Sequence, residues 1–337
     1  MVIIGNYQGF NIFEPAPEII PASREKVDAG IAVNKRVLQN LSAEEKAAPA
    51  MPVTGTFLCA HAPDYVGTPT LLWDTAQWKT ALEKLREKKI DTVIFQASVW
   101  NELHEVYYSS KKFASFRSWN VVEPMLLAAR DCGMTVFLGG YGSVSGWSPL
   151  LTEQEEKEEI DRQCGCFEEL MTYKELFDGI YYAPETAFSG VRNRQKEERL
   201  HNIYQTYFRR IKELAPEKKI LISPASRWIP RKEQEFFEAW TSLFEDVPLD
   251  ILAPQDSIGC GGCTLENISA MWQLWRRTAD SLGITLWANT ELFERLTFGG
   301  PEPFKNAEKE RIFQQRRAVS PFVEKCICWE ALYFDLP

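Results

Sequence analysis

Eight short segments that are apolar on both faces, alternating with seven stretches of helical periodicity, predict an α/β fold: a (β/α)8 TIM barrel with an N-terminal extension. Two further observations select a closed barrel over an open sheet. The eight units fill about 280 residues, a usual size for one barrel. The first strand runs into Cys59-Ala60-His61-Ala62-Pro63, which is no Gly-rich phosphate turn of a doubly wound sheet. The predicted domains are residues 1–53, an extension packed on the barrel, and residues 54–337, the (β/α)8 catalytic domain.

The extension is interrupted by Pro15, Pro17, Pro21, Pro49 and Pro52, with a helical patch from Val33 to Leu41. The strand Thr56–Cys59 opens the series, and Trp78, Ala81, Leu82 and Leu85 repeat at helical spacing within 75–89. The second strand, Asp91–Gln96, is followed by a long loop and a helix with Pro124 in its first turn. Met134–Gly139 precedes a charged helix over 152–176. The fourth strand runs Gly179-Ile180-Tyr181-Tyr182-Ala183-Pro184-Glu185, before a helix with Tyr204, Tyr207, Phe208 and Ile211 on one face. Lys219–Pro224 leads to a helix over 232–244, and Leu249–Pro254 to one that Thr264 caps. Ile284–Glu291, a helix over 307–319 and Lys325–Trp329 complete the barrel.

A net charge of −9 argues against a nucleic-acid partner, which needs a basic stripe. No apolar run is long enough for a membrane span, and the first residues lack the pattern of a secretion signal. Several of the eight cysteines lie inside apolar strands, which suits small core residues in a reducing, cytoplasmic compartment. Cys260-Gly261-Gly262-Cys263 is a lone CxxC; with only three histidines in the chain, no metal and no cofactor are expected. The sequence leaves the oligomeric state open.

In a barrel, function gathers where strands end. Those positions hold His61, Gln96 with Trp100, Tyr141, Glu185, Ser223 with Arg227 and Trp228, Gln255 with Asp256, Asn289 with Glu291, and Trp329 with Glu330. Glu185 on the fourth strand and Glu291 on the seventh would face each other across one open mouth, the minimal equipment for breaking a glycosidic bond. Glu185 is the expected general acid, its proton held by apolar Tyr and Trp neighbours and a second carboxylate. Glu291 is the expected nucleophile, kept ionised by hydrogen bonds from Asn289 or an Arg; set against this, it could be a structural partner for an Arg such as Arg227. Asp256 could bind sugar hydroxyls, hold Arg227 or take the place of Glu185; set against this, an Asp before Ser and Gly commonly builds a turn. Gln96, Arg227 and Asn289 would position hydroxyls, with Gln255, Tyr141 and Glu330 as further wall groups. Trp100, Trp119, Trp147, Trp228, Trp287 and Trp329 supply platforms of the kind on which sugar rings stack, Trp287 and Trp329 foremost, whereas Trp78, Trp240, Trp272 and Trp275 lie on helices as core.

The strand-end series, with Ile251-Leu252-Ala253-Pro254-Gln255-Asp256-Ser257-Ile258-Gly259 and Leu286-Trp287-Ala288-Asn289-Thr290-Glu291-Leu292-Phe293 at its centre, resembles the bacterial domain of unknown function 4434 family over about residues 54–334. The resemblance implies a glycoside-hydrolase-like TIM barrel and carbohydrate binding. It places Glu185 and Glu291 at the strand ends used by the large retaining-glycosidase clan, with one departure: Pro184, not Asn, precedes the first glutamate. The expected function is a glycosidase acting on a small oligosaccharide or glycoside. A non-catalytic carbohydrate-binding barrel and a metal-assisted sugar isomerase or lyase are the alternatives.

Overall fold

The computed structural model describes residues 13–14, 24–63, 67–143, 152–188, 191–296 and 304–337, so Trp147 lies outside the described residues. Eight parallel strands close into a barrel: β1 Val53–Leu58, β2 Thr92–Phe95, β3 Thr135–Gly139, β4 Gly179–Tyr182, β5 Lys219–Ile222, β6 Ile251–Leu252, β7 Thr285–Glu291 and β8 Lys325–Trp329. Each pairs with its sequence neighbours, and β8 closes the ring on β1 through Ile327↔Gly55 and Cys328↔Thr56.

The strand period of two divides these residues between two cores. Phe57, Ile94, Phe137, Tyr181, Leu221, Ile251, Ala253 and Ile327 form the barrel interior. Their neighbours in sequence, including Leu58, Val93, Leu138, Tyr182, Leu252 and Cys328, face outward into the layer covered by helices. Phe57 meets Tyr181 edge-on at 5.1 Å between ring centroids, and truncating such a side chain to Ala costs about 3–5 kcal/mol.

Seven described helices alternate with the strands: α3 Thr75–Glu87, α4 Val122–Asp131, α5 Glu153–Leu170, α6 Arg194–Leu214, α7 Glu233–Phe244, α8 Ile268–Leu282 and α9 Lys309–Val319. Capping boxes at Asp74 with Gln77 and at Thr152 with Glu155 fix the starts of α3 and α5. Trp78, Trp240, Trp272 and Trp275 are fully buried beneath this ring. Thr264 stands one turn before α8, its carbonyl accepting from the amides of Asn267 and Ile268.

Two regions depart from the expected pattern. The long loop after β2 supplies three strands of a four-stranded sheet ordered 117–118, 105–106, 99–100 and 141–142, and the segment just after β3 supplies the fourth. The extension holds a longer helix than its pattern suggests, α1 Arg24–Asn40, followed by the short α2 Ala43–Ala47. The buried face of α1 is Val27, Gly30 and Asn34, a helical spacing with a single large apolar residue, so no apolar period announces it. This face lies on the loop after β6. Asn34 Oδ1 accepts from the Leu265 amide at 2.8 Å, and the Val27 backbone abuts Gly261, whose φ of +71° suits glycine.

Candidate active site at the carboxyl end of the barrel

The same period of two, continued past the strands, decides which side chains reach the mouth. Below it lie Phe57, Ile94, Tyr181, Leu221, Ala253 and Ile327; above them come Cys59, Gln96, Glu185, Ser223, Gln255, Asn289, Glu291 and Trp329. Gly139 holds the equivalent place on β3, where a Cβ would collide with the Phe95 and Gln96 carbonyls.

These groups form two hydrogen-bonded arcs. On the β8–β1–β2 side, Gln96 Oε1 accepts from the Cys59 thiol and, at 3.2 Å, from Trp329 Nε1. The Trp329 ring is held edge-on by Phe293 at 5.2 Å and Phe304 at 5.8 Å, making an aromatic wall at the rim. On the β4–β7 side, Asn289 Nδ2 donates to Ser223 Oγ at 3.0 Å, and Gln255 Nε2 donates to Glu185 Oε1 and to the Ser223 carbonyl at 3.3 Å. Glu185 lies three residues beyond the end of β4 and is partly exposed; Gln255 holds it at the rim.

Glu291 closes β7 but lies under a roof rather than in an open mouth, with 2 % of its surface exposed. The loop after β6 crosses its carboxylate: the Cys260 amide donates to Oε2 at 3.1 Å, and a Cβ on Gly259 would stand 2.9 Å from that oxygen. Beside it, Asp256 (1 % exposed) accepts from Gln315 Nε2 at 2.6 Å, from the Ile258 amide at 3.2 Å and from the Glu291 amide at 3.4 Å. Buried Arg311 spends Nη2 on the carbonyls of Glu291 at 3.1 Å and Phe293 at 2.7 Å.

Burial, then the charge of Asp256, pushes Glu291 up to about 8, against the pull of Arg311 and the amides of Cys260 and Gly259. Burial also raises Asp256, to about 6, where Gln315, Arg311 and two amides oppose it. Burial and the charges of Glu291 and Glu185 push the Cys260 thiol up, so it stays protonated; Cys263 is raised likewise, mainly by burial.

The remaining predicted residues divide. Arg227 lies near Cys260 and Lys26 of α1, and Arg311 is a cation acting on Glu291. Trp228 is partly buried, its amide donating to the Gly262 carbonyl at 2.9 Å. Trp287 pairs in register with Lys325, at the amino end of the barrel, whereas Glu291 pairs with Trp329 at the carboxyl end. Four residues of strand, about 13 Å, therefore separate Trp287 from the rim, too far to stack a sugar there. Trp100 and Tyr141 belong to the accessory sheet, buried at 7 % and 2 % exposure, with the Tyr141 hydroxyl donating to Asn101 Oδ1 at 2.6 Å. Glu330, one residue past the inward-facing Trp329, is fully buried and accepts from the Cys59 amide at 2.9 Å. Burial raises it well above the ordinary carboxylate range.

Arg311 and Gln315 lie outside the set predicted from strand ends because they come from α9. Their signal is a helix that must cover the barrel yet buries Arg311, Gln314 and Gln315 beside only Ile312 and Val319. Among the described residues, no three His, Cys, Asp or Glu side chains converge as metal ligands, and no helix is long and apolar enough to cross a membrane.

Residues 53–337 match the model of the family described as Domain of unknown function (DUF4434), and the chain belongs to that family. No curated protein matches it. The fold is shared with solved structures at low identity. A suspected alpha-L-fucosidase from Bacteroides thetaiotaomicron VPI-5482 is 19% identical, with a TM-score of 0.69 over 86% of this chain and 92% of that one. An exo-beta-1,4-mannosidase from Opitutaceae bacterium strain TAV5 is 14% identical, with a TM-score of 0.53 over 84% and 52%. A family 1 beta-glucosidase from Thermotoga maritima is 10% identical, with a TM-score of 0.52 over 84% and 89%.

Proposed function

We propose that this member of the DUF4434 family is a glycoside hydrolase that cleaves a small oligosaccharide or glycoside with two carboxylates, Glu185 and Glu291, by retention. The observation that carries the reading is the pair itself. Both acids fall on the inward register, Glu185 at the rim beyond β4 and Glu291 at the end of β7 beneath the β6 loop, with amide and hydroxyl groups suited to sugar hydroxyls near by. One carboxyl group protonates the glycosidic oxygen while the other carboxylate attacks the anomeric carbon, and water then releases the sugar. Gln96, Ser223, Gln255 and Asn289 supply the polar contacts, and Trp329 with Phe293 and Phe304 the apolar wall. The named glycosidases that share the barrel support the class and leave the sugar open.

A panel of aryl glycosides, with proton NMR of the first-formed anomer, tests this. Glu185→Gln and Glu291→Gln should each reduce turnover by a factor on the order of 10² or more while circular dichroism stays unchanged. Wild-type turnover retained by both variants would sink the assignment.

A further inference from the structure

We propose that Tyr181 is a substrate-binding residue, its hydroxyl donating from the floor of the mouth to an oxygen of the sugar unit seated there. This role presupposes the carbohydrate reading of the mouth and adds a group that the strand ends do not point to.

Tyr181 lies on the inward register of β4, pairs with Gly139 and Leu221 on the neighbouring strands, and meets Phe57 edge-on at 5.1 Å. One inward place below it, Gly179 leaves room that the Phe137 ring fills, since a Cβ there would collide with that ring. Phe137 in turn meets Trp287 edge-on at 5.8 Å, so the barrel is packed beneath Tyr181. One inward place above stands Ala183, which is partly exposed and ends at its Cβ. β4 therefore sets no more than a methyl between the Tyr181 ring and Glu185 at the rim. The Trp329 ring, also partly exposed, packs against the same interior from β8.

The fold uses the ring and not the hydroxyl. Among the described residues, no group donates to that hydroxyl or accepts from it, and it keeps accessible surface in a residue that is 5 % exposed. The hydroxyls of Tyr182 and Tyr207, by contrast, are sealed between the barrel and the helices. A hydroxyl brought this deep without a partner has given up part of its hydration for no bond in return. A ligand oxygen in the mouth restores that bond. Burial, then the charges of Glu185 and Cys59, raise the phenol well above its ordinary value, so it meets the ligand as a donor. The partner it suits is a hydroxyl oxygen of one sugar unit held between this floor and the Trp329 wall.

Carbon-13 NMR of protein labelled at the tyrosine ζ-carbons, with Tyr181 assigned through Tyr181→Phe, reads the contact directly. D-Glucose, D-galactose, D-mannose and D-xylose serve as probes. At least one should move the Tyr181 resonance saturably and leave Tyr182 in place. By calorimetry, Tyr181→Phe should bind that sugar about tenfold more weakly, the worth of one good hydrogen bond. Monodeoxy analogues locate the partner: the one lacking it should lose the same factor on the wild type and nothing further on Tyr181→Phe. Thermal unfolding of Tyr181→Phe should match or exceed the wild type, since the fold does not use the hydroxyl. Probes that all leave Tyr181 unmoved, undiminished binding by Tyr181→Phe, or a lowered unfolding midpoint would each overturn the assignment. Sugar binding through Tyr181 without turnover of any aryl glycoside would defeat the hydrolase reading alone. Turnover of an aryl glycoside with KM unchanged in Tyr181→Phe would defeat the floor contact alone.

Discussion

Glu105 and Glu291 are equally hidden, at 0 % and 2 % exposure, yet they are pushed in opposite directions. Glu105 sits in the accessory sheet, where His61 Nε2 lies 2.6 Å from Oε2, the Tyr107 hydroxyl donates at 2.9 Å, and Arg117 reaches Oε1 from the surface. Burial works against its charge, but His61, by hydrogen bond and charge, and then Tyr107 overcome it and hold the carboxyl below its ordinary range. Glu291 lies deeper within the protein, with one nearby anion in Asp256 and a cation whose Nη2 bonds carbonyls. A hidden surface alone therefore does not set the charge of an acid; its depth and the neighbours at its oxygens do so together. One arrangement is an anchor, and the other is a place to keep a proton.

The largest expected effect breaks the Glu291 side of this contrast. Arg311→Met removes the cation from a fully buried cluster, together with its hydrogen bonds to the carbonyls of Glu291 and Phe293, which should cost about 3–5 kcal/mol. Arg117→Met removes a cation whose side chain is 53% exposed, leaving His61 and Tyr107 on Glu105, and should cost no more than about 1 kcal/mol. Urea unfolding of both variants measures the difference. Equal losses would mean that the two cations play the same part.

Stability against pH sharpens the contrast at the next level. A raised carboxyl stabilises the fold below its unfolded value and loses that contribution as pH rises through its folded value. For Glu291 that window runs from 4.5 to about 8, so Glu291→Gln should gain on the wild type by more than about 1 kcal/mol between pH 5 and pH 9. A lowered carboxyl stabilises above its unfolded value and loses the contribution as pH falls through the folded one. Glu105→Gln should therefore differ from the wild type at neutral pH and converge with it below about pH 4. Parallel curves for the two variants would remove the distinction.

How legible each region is follows the same physics. The eight strands are readable because strands covered on both faces are short apolar runs between turn signals. The end of β7 is readable too, since period-two counting carries Trp287 and Asn289 to Glu291. Counting also explains Trp287, which has the right face but the wrong height. The accessory sheet escapes, because two-residue strands such as 99–100 and 105–106 carry no period, so nothing announces Glu105 as the partner of His61. Arg311 and Gln315 escape for a different reason. They reach the site from a helix, across the chain, where no spacing links them to Asp256.

The smallest expected effect asks whether the clamp on the β6 loop extends to Glu291. The loop that supplies the Cys260 amide is held from above by Asn34 on the Leu265 amide and by the Val27 backbone against Gly261. Asn34→Ala leaves that amide unpaired, and Gly261→Ala forces a Cβ onto a φ of +71° within 3.0 Å of Val27 Cα, each costing about 1–2 kcal/mol. Arg36→Ala, which breaks an exposed pair with Glu266, should cost within about 0.5 kcal/mol and serves as the control on the same helix. The Cys260 amide favours the ionised form of Glu291, so loosening the loop should raise the Glu291 titration further and leave Glu105 where it is. Carboxyl carbon NMR separates the outcomes. A Glu291 midpoint that ignores Asn34→Ala and Gly261→Ala would confine α1 to holding the fold, whereas a shift in Glu291 alone would make the N-terminal helix part of the machinery that sets its proton.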